Sequence, residues 1–201
     1  MTLEELLAEA RACRRCEGRL PLGPRPVIRA GTTARILIVG QAPGTRVHET
    51  GVPFNDRSGD RLREWLGVDS AAFYDESRIA IAPMGLCYPG RDRNGGDLPP
   101  IKTCAALWHP RLRPLLPALE LTLLVGSYAQ VYYLGKERKP SLTETVRNWQ
   151  AYGPQFMPLP HPSWRNTAWL KRNSWFETEL LPELRARVTG LMEVSSREKE
   201  C

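Results

Sequence analysis

The stretch Arg35-Ile36-Leu37-Ile38-Val39, followed directly by Gly40-Gln41-Ala42-Pro43-Gly44, decides the fold. Four consecutive apolar residues, three of them β-branched, are typical of a strand that is buried on both faces of a parallel sheet. The glycines and the proline that follow interrupt the strand and predict a loop at its carboxyl end. Because ligands of open α/β sheets bind at that edge, this loop is a candidate functional segment.

Three further short apolar runs predict strands at 79–82, 121–125 and 156–159. Helical patterns lie between them, at 2–12 with a capping box from Thr2 and Glu5, at 58–66, at 100–116 and from about 129. A last helix is expected from 169 to about 191, with a break at Pro182. Strands that alternate with helices in this way indicate an α/β protein with a parallel sheet.

The length of 201 residues predicts one domain, at 1–192, with a polar C-terminal tail at 193–201. The apolar runs are too short to cross a bilayer. The first residues include Glu4, Glu5 and Glu9, which does not fit a secretory signal, so we expect a cytoplasmic protein. The net charge is +6, and 23 of the 28 basic residues are arginine. This balance suits contacts with nucleic-acid phosphates, although a GC-rich genome would produce it as well.

Four of the five cysteines form a pattern that is typical of a metal site. Cys13 and Cys16 are separated by two residues, and Cys87 and Cys104 follow further along the chain. In a reducing compartment, four such thiolates could hold zinc or an iron-sulfur cluster. The alternative is that these are buried cysteines that never meet. Cys201 stands apart in the polar tail.

Four segments at the predicted strand ends carry polar or glycine-rich sequence, at 40–44, 83–90, 126–127 and 161–166. Together with Thr50-Gly51-Val52-Pro53-Phe54, they resemble the uracil-DNA glycosylase superfamily along nearly the whole chain. Residues 40–44 resemble its first active-site motif, and His161-Pro162-Ser163 its second. The order and spacing of the four cysteines resemble the branch of the superfamily that binds a 4Fe-4S cluster.

The resemblance implies a three-layer sandwich with a central, mostly parallel four-stranded sheet flanked by helices. It implies a monomeric DNA repair enzyme that flips uracil out of DNA and hydrolyses its N-glycosidic bond, leaving an abasic site. His161 would donate a hydrogen bond to the leaving base, and Phe54 would stack on it. Gly40, Gln41 and Ala42 would contact the base and the attacking water.

Further residues would contact DNA, and the cysteines would bind the cofactor. The implied DNA-binding residues are Ser58, Gly126, Ser127, Ser163, Trp164, Arg165 and Asn166. Among them, Arg165 would act as the wedge that fills the gap left by the flipped base. Cys13, Cys16, Cys87 and Cys104 would hold a structural 4Fe-4S cluster.

The sequence departs from the family's pattern at several positions. Ala42 replaces a water-activating Asp, Gln41 replaces a frequent Glu, no Asn lies between residues 81 and 86, and Trp164 replaces a proline. Backbone groups, His48 or Glu49 would then hold the water. Two other functions therefore stay open. One is a protein that binds uracil or abasic DNA with weak turnover, and the other is a glycosylase for a broader range of deaminated bases.

Overall fold

The computed structural model describes residues 1–197, and its centre is a four-stranded sheet. The strands are β1 (Ile36–Val39), β2 (Ile79–Ile81), β3 (Leu121–Val125) and β4 (Phe156–Leu159). Their order across the sheet is β2-β1-β3-β4, and each neighbouring pair is parallel. The four predicted strands are therefore confirmed, and the carboxyl ends of all four lie at one edge.

Nine α-helices are found within residues 1–197. They are α1 (Leu3–Arg11), α2 (Thr45–Thr50), α3 (Arg57–Leu66), α4 (Ser70–Phe73), α5 (Lys102–Leu112), α6 (Ser127–Leu134), α7 (Leu142–Arg147), α8 (Thr167–Arg172) and α9 (Leu181–Arg197). The predicted capping box of α1 is present, because Thr2 accepts a hydrogen bond from the Glu5 N–H and Glu5 accepts one from the Thr2 N–H. No helix in this described part is long and apolar enough to cross a membrane.

Successive residues of each strand face opposite layers of helices. Leu37 and Val39 of β1 pack with the apolar faces of α1, α5 and α6. Ile36 and Ile38 belong to a second cluster, which includes the buried side chains of α3 and α9. Both faces of the sheet are covered by helices, which explains why β1 is continuously apolar. The predicted α/β three-layer sandwich is therefore confirmed.

The C-terminal helical region differs from the sequence-based expectation. The break lies between α8 and a π-helical turn at Phe176–Leu180, which leads directly into α9. Pro182 is the second residue of α9, directly after the π-helical turn, and the helix continues beyond it. The predicted end at 191 was too early, since Met192 still packs in the second cluster and the helix continues to Arg197. Cys201 lies outside the described residues.

Candidate active site

A cavity of about 330 Å³ opens at the carboxyl ends of the strands. The loop after β1, the turn before α3, the segment after β2 and the segment after β4 all contribute to its walls. Nine of the predicted site residues line it: Gly40, Gln41, Ala42, Phe54, Ser58, His161, Ser163, Trp164 and Arg165. Residues that are more than a hundred positions apart in the sequence therefore meet in one site.

Three predicted site residues lie outside the walls of this cavity. Gly126 lies behind His161, and a Cβ atom at Gly126 would be 3.5 Å from the His161 Cβ. Ser127 is exposed as the first residue of α6. Asn166 donates a hydrogen bond of 2.7 Å from its Nδ2 to the backbone carbonyl of His161. Asn166 thus fixes the backbone of the second motif.

The hydrogen bonds of His161 determine which ring nitrogen carries its proton. The backbone N–H of Ser163 donates to the Nδ1 atom of His161 over 3.2 Å. An Nδ1 atom that accepts a hydrogen bond has no hydrogen of its own, so the neutral ring carries its hydrogen on Nε2. Within residues 1–197 no protein group bonds to Nε2. The neutral side chain therefore has one N–H donor free for a ligand in the cavity.

The surroundings of His161 favour its neutral form. Burial lowers the pKa of His161 below its usual value, and the nearby carboxylates of Asp56 and Asp97 oppose this shift. Burial disfavours the imidazolium cation because the low dielectric of the interior stabilises charge poorly. At neutral pH His161 is therefore an uncharged donor, suited to a group that becomes negative during a reaction.

Phe54 lies over the first motif in a strained backbone conformation. Its φ angle is +54°, a region that non-glycine residues rarely adopt. A Cβ atom at Gly40 would be 3.0 Å from the Phe54 Cζ, so this close approach favours glycine. The carbonyl of Phe54 accepts a hydrogen bond of 3.3 Å from the Arg63 Nη1. Strained backbone of this kind clusters at functional sites, and here it presents an aromatic ring to the cavity.

The first motif is fixed by backbone pairing with the segment after β2. The N–H groups of Met84 and Gly85 donate to the carbonyls of Gly40 and Gln41, each over 2.9 Å. The side-chain Nε2 of Gln41 donates to the carbonyl of Leu98 over 3.3 Å. Gln41 therefore holds the 97–98 segment against the first motif, in addition to lining the cavity.

The sequence matches a known protein family along most of its length. The family model of the uracil DNA glycosylase superfamily matches residues 29–185. The chain belongs to the uracil DNA glycosylase superfamily. It is also similar to a solution NMR structure from Methanosarcina acetivorans described as a "putative Uracil DNA glycosylase". The two are 17% identical, with a TM-score of 0.47 over 83% of this chain and 98% of that one. The superfamily assignment from the sequence motifs is thus confirmed.

Two residues after the second glycosylase motif differ in how freely they can reach a ligand. Arg165 donates from its Nη2 to the carbonyl of Gly95 over 3.0 Å, which ties it to the segment after β2. Trp164 is 70% exposed, and its ring contacts the Arg165 guanidinium with 5.7 Å between the Cζ atom and the ring centroid. At the cavity edge, Trp164 is therefore the more accessible of the two side chains.

Two carboxylates in this cavity were missed by the sequence analysis. Asp56 and Asp97 line it together with Arg57 and Arg91. Asp56 also caps α3, where its Oδ1 accepts a hydrogen bond of 3.0 Å from the Gly59 N–H. A helix N-cap signal could have drawn attention to Asp56. Asp97 gives no such signal, because its place in the cavity depends on tertiary contacts of the segment after β2.

Four cysteines line a second, smaller pocket. They are Cys13 and Cys16 after α1, Cys87 after β2, and Cys104 on α5. All four are free thiols. Residues 1–197 contain no group of three or more His, Cys, Asp or Glu side chains that could hold a metal ion in the present arrangement. Cys13 and Cys16 also precede the part of the chain that the family model matches.

The environment of two of these sulfurs combines burial with backbone donors. Burial raises the pKa of Cys87 to about 12 and that of Cys104 to about 11, and the neighbouring cysteines add to both shifts. The N–H of Leu86 donates to the Cys104 Sγ over 3.3 Å, and the backbone of Arg25 hydrogen-bonds Cys87. Backbone donors aimed at sulfur are a feature of cysteine-bound iron-sulfur clusters. Two of the four sulfurs thus receive backbone hydrogen bonds of the kind that such clusters have.

Proposed function

We propose that this protein is a monofunctional uracil-DNA glycosylase, which hydrolyses the N-glycosidic bond of a flipped uracil and leaves an abasic site. The observation that carries the proposal is the neutral His161 ring in the cavity, with an Nε2 hydrogen that no protein group in residues 1–197 uses. A donor of this kind stabilises the negative charge that develops on the leaving base.

The cavity also suits the shape and stacking of a single base. Phe54 presents an aromatic ring above Gly40, and base stacking on such a ring contributes about 1 to 3 kcal/mol. A volume of about 330 Å³ accommodates a small ligand. The basic groups of Arg57, Arg91 and Arg165 at the same cavity suit the phosphates on either side of a flipped nucleotide.

The absence of lysine from the motif segments favours water as the nucleophile. Residues 40–54 and 161–166 contain none. Without a nearby amine, no Schiff base with the sugar forms, and the backbone of the DNA is not cut by the enzyme itself. The product is then an intact strand with an abasic site.

A labelled oligonucleotide that contains one uracil tests this proposal. Incubation with the protein followed by alkali should cut the strand at the uracil position, whereas incubation without alkali should leave it whole. A thymine oligonucleotide is the matched control and should stay intact under both treatments. Oligonucleotides with hypoxanthine or xanthine measure whether the protein accepts a broader range of deaminated bases.

Each other result assigns a different function. Tight binding of the uracil or abasic oligonucleotide without alkali-sensitive cleavage would favour the DNA-binding alternative, in which the missing motif carboxylate limits turnover. Cleavage at hypoxanthine or xanthine that is faster than at uracil would favour the broader glycosylase. Cutting without alkali would contradict the monofunctional assignment.

We also infer that Cys13, Cys16, Cys87 and Cys104 hold a 4Fe-4S cluster. Four free thiols around one pocket, two of them with backbone donors on their sulfurs, support this inference. The cluster would supply no chemistry to excision and would act as a cross-link. It would join the segment after α1 to the segment after β2 and to α5, which meet at this pocket.

Iron and sulfide analysis after anaerobic purification tests the cluster. The protein should be brown, with broad absorbance near about 400 nm, as thiolate-bound iron clusters show. Cys104→Ser should lower the iron content, whereas Cys201→Ser is the matched control and should leave it unchanged. Stoichiometric zinc in place of iron would contradict the inference.

A further inference from the structure

Hydrolysis in the proposed function needs a group that holds the attacking water, and the first motif supplies no carboxylate for this. Its second and third residues are Gln41 and Ala42. His48 does not line the cavity and packs against Tyr88, with 6.0 Å between their ring centroids. Glu49 is exposed and also lies outside the cavity walls. His48 and Glu49 are therefore badly placed for the water.

Among the described residues, the carboxylates that line the cavity are those of Asp56 and Asp97. They differ in the contacts that their carboxylate oxygens already make. Asp56 accepts the Gly59 N–H at the start of α3. Asp97 has a looser contact, an ion pair of 3.6 Å with Arg91, and its side chain is 49% exposed. The Asp97 carboxylate is therefore the one with more capacity for a water molecule.

The position of Asp97 is fixed by the backbone around it. The N–H of Leu98 donates to the carbonyl of Gly90 over 2.9 Å, and Arg91 forms a backbone bridge with Asp97. Gln41 donates from its side chain to the Leu98 carbonyl. These contacts place the Asp97 Oδ2 at 4.0 Å from the point that a Cβ atom at Gly44 would occupy. The carboxylate thus lies against the end of the first motif.

We propose that Asp97 replaces the carboxylate missing from the first motif, and that it holds and deprotonates the attacking water. This inference rests on the proposed glycosylase function. The bond between the sugar C1′ and the base nitrogen breaks, and its electron pair leaves with the base. His161 stabilises the resulting anion through its Nε2 hydrogen. The water oxygen bonds to C1′, and the proton of that water passes to the Asp97 carboxylate.

Gln41 then has a defined part in this arrangement. It is a positioning residue, because its amide ties the segment that carries Asp97 to the first motif.

The charged or titratable groups that share the cavity with Asp97 are Asp56, Arg57, Arg91, His161 and Arg165. Three of these are arginines.

Single-turnover excision from a uracil-containing single strand tests the inference. The rate is measured from about pH 3.5 to pH 9, a range that extends below the usual pKa of carboxylic acids at about 4. We expect Asp97→Asn to slow excision by about 10²-fold, the lower end of the range for a general base. The fall in rate at acid pH that the proposal predicts for the parent should be absent from this variant, because an amide does not take up the proton. DNA affinity, measured by fluorescence anisotropy, should be unchanged or slightly increased.

Two further variants make the result specific. Asp56→Asn changes the other cavity carboxylate and should slow excision much less than Asp97→Asn. Glu49→Gln is the matched control outside the cavity and should leave both the rate and its acid limb as in the parent. Thermal melting of Asp97→Asn at the parent temperature would show that the loss of rate does not come from unfolding.

The outcomes separate this inference from the function on which it rests. Parent-like excision by Asp97→Asn, with the acid limb intact, would overturn the inference and leave the glycosylase function standing. Loss of the rate and of the acid limb in Asp56→Asn, and not in Asp97→Asn, would also overturn the inference and leave the glycosylase function standing. No excision of any deaminated base by the parent protein would refute the proposed function itself, and this inference with it.

Discussion

Replacement of His161 by alanine is the sharpest test of how the cavity promotes base release. The Ser163 N–H bond to Nδ1 leaves the Nε2 hydrogen as the single donor of the ring, and burial keeps the ring uncharged at neutral pH. Loss of one neutral donor to a developing oxyanion slows a reaction by about 10²- to 10³-fold, or about 2.7 to 4 kcal/mol in the barrier. We therefore expect a rate loss of this size.

The same substitution should have little effect on DNA affinity. Phosphate contacts supply most of the affinity of proteins for DNA, and His161 is uncharged. The Ser163 N–H loses its acceptor, which costs about 1 kcal/mol of folding stability but does not act on the reaction. The rate and the affinity of the variant should thus change independently.

Single-turnover excision with enzyme in excess measures the rate, and anisotropy with the same oligonucleotide measures the affinity. His48→Gln is the matched control, because His48 lies near the first motif but outside the cavity. Excision by His161→Ala at the parent rate would refute the donor role. An affinity loss as large as the rate loss would show that His161 acts in binding.

Three further predictions concern other side chains around the site. Phe54→Ala should weaken base capture by about 1 to 3 kcal/mol, measured as excision from single and double strands alike. Trp164→Ala should slow excision from duplex DNA more than from single strands, and more than Arg165→Ala does, because Trp164 is the freer side chain at the cavity edge. Burial lowers the pKa of His109 below its usual 6.5, so the stability that depends on its neutral form is complete above that pH and declines as pH falls through the lower folded value. Melting temperatures of the parent and of His109→Gln between about pH 5 and pH 8 should show a weaker acid decline in the variant.

The strands were predictable because each one is buried on both faces. A short, largely apolar run such as Leu121–Val125 is expected where both of its faces are buried, which in this protein is the interior of the sheet. The helices α2, α4 and α7 were not predicted, since each has only four to six residues and so shows no helical period. Long periodic segments leave a signal in the sequence, whereas single turns do not.

The site was predictable where it consists of motif residues and not where tertiary contacts bring residues into it. Phe54 and His161 lie in segments that resemble the family's motifs, and both line the cavity. Asp97 lies seven residues beyond the segment that the sequence analysis marked at 83–90. It reaches the cavity because Leu98 pairs with Gly90 and Gln41 binds the Leu98 carbonyl. Pairings of this kind have no local sequence signature.

The segment after β2 connects the cavity with the cysteine pocket. Pro83 lines the cavity, and Gly85 and Cys87 line the pocket of the four cysteines. Between them, Gly85 donates its N–H to the carbonyl of Gln41 in the first motif. The buried His109 on α5 lies within hydrogen-bond distance of the Pro83 carbonyl, with 3.1 Å from its Nε2.

These contacts predict how damage at the cysteines would reach the active site. α5 carries both His109 and Cys104, so a shift of this helix would move the Pro83 carbonyl and, through Gly85, the first motif. His161 is attached to a different strand end, after β4, and Asn166 holds its carbonyl independently of α5. Loss of the cysteine site should therefore disturb the first-motif side of the cavity, next to the proposed water position, before it disturbs the proposed donor to the base.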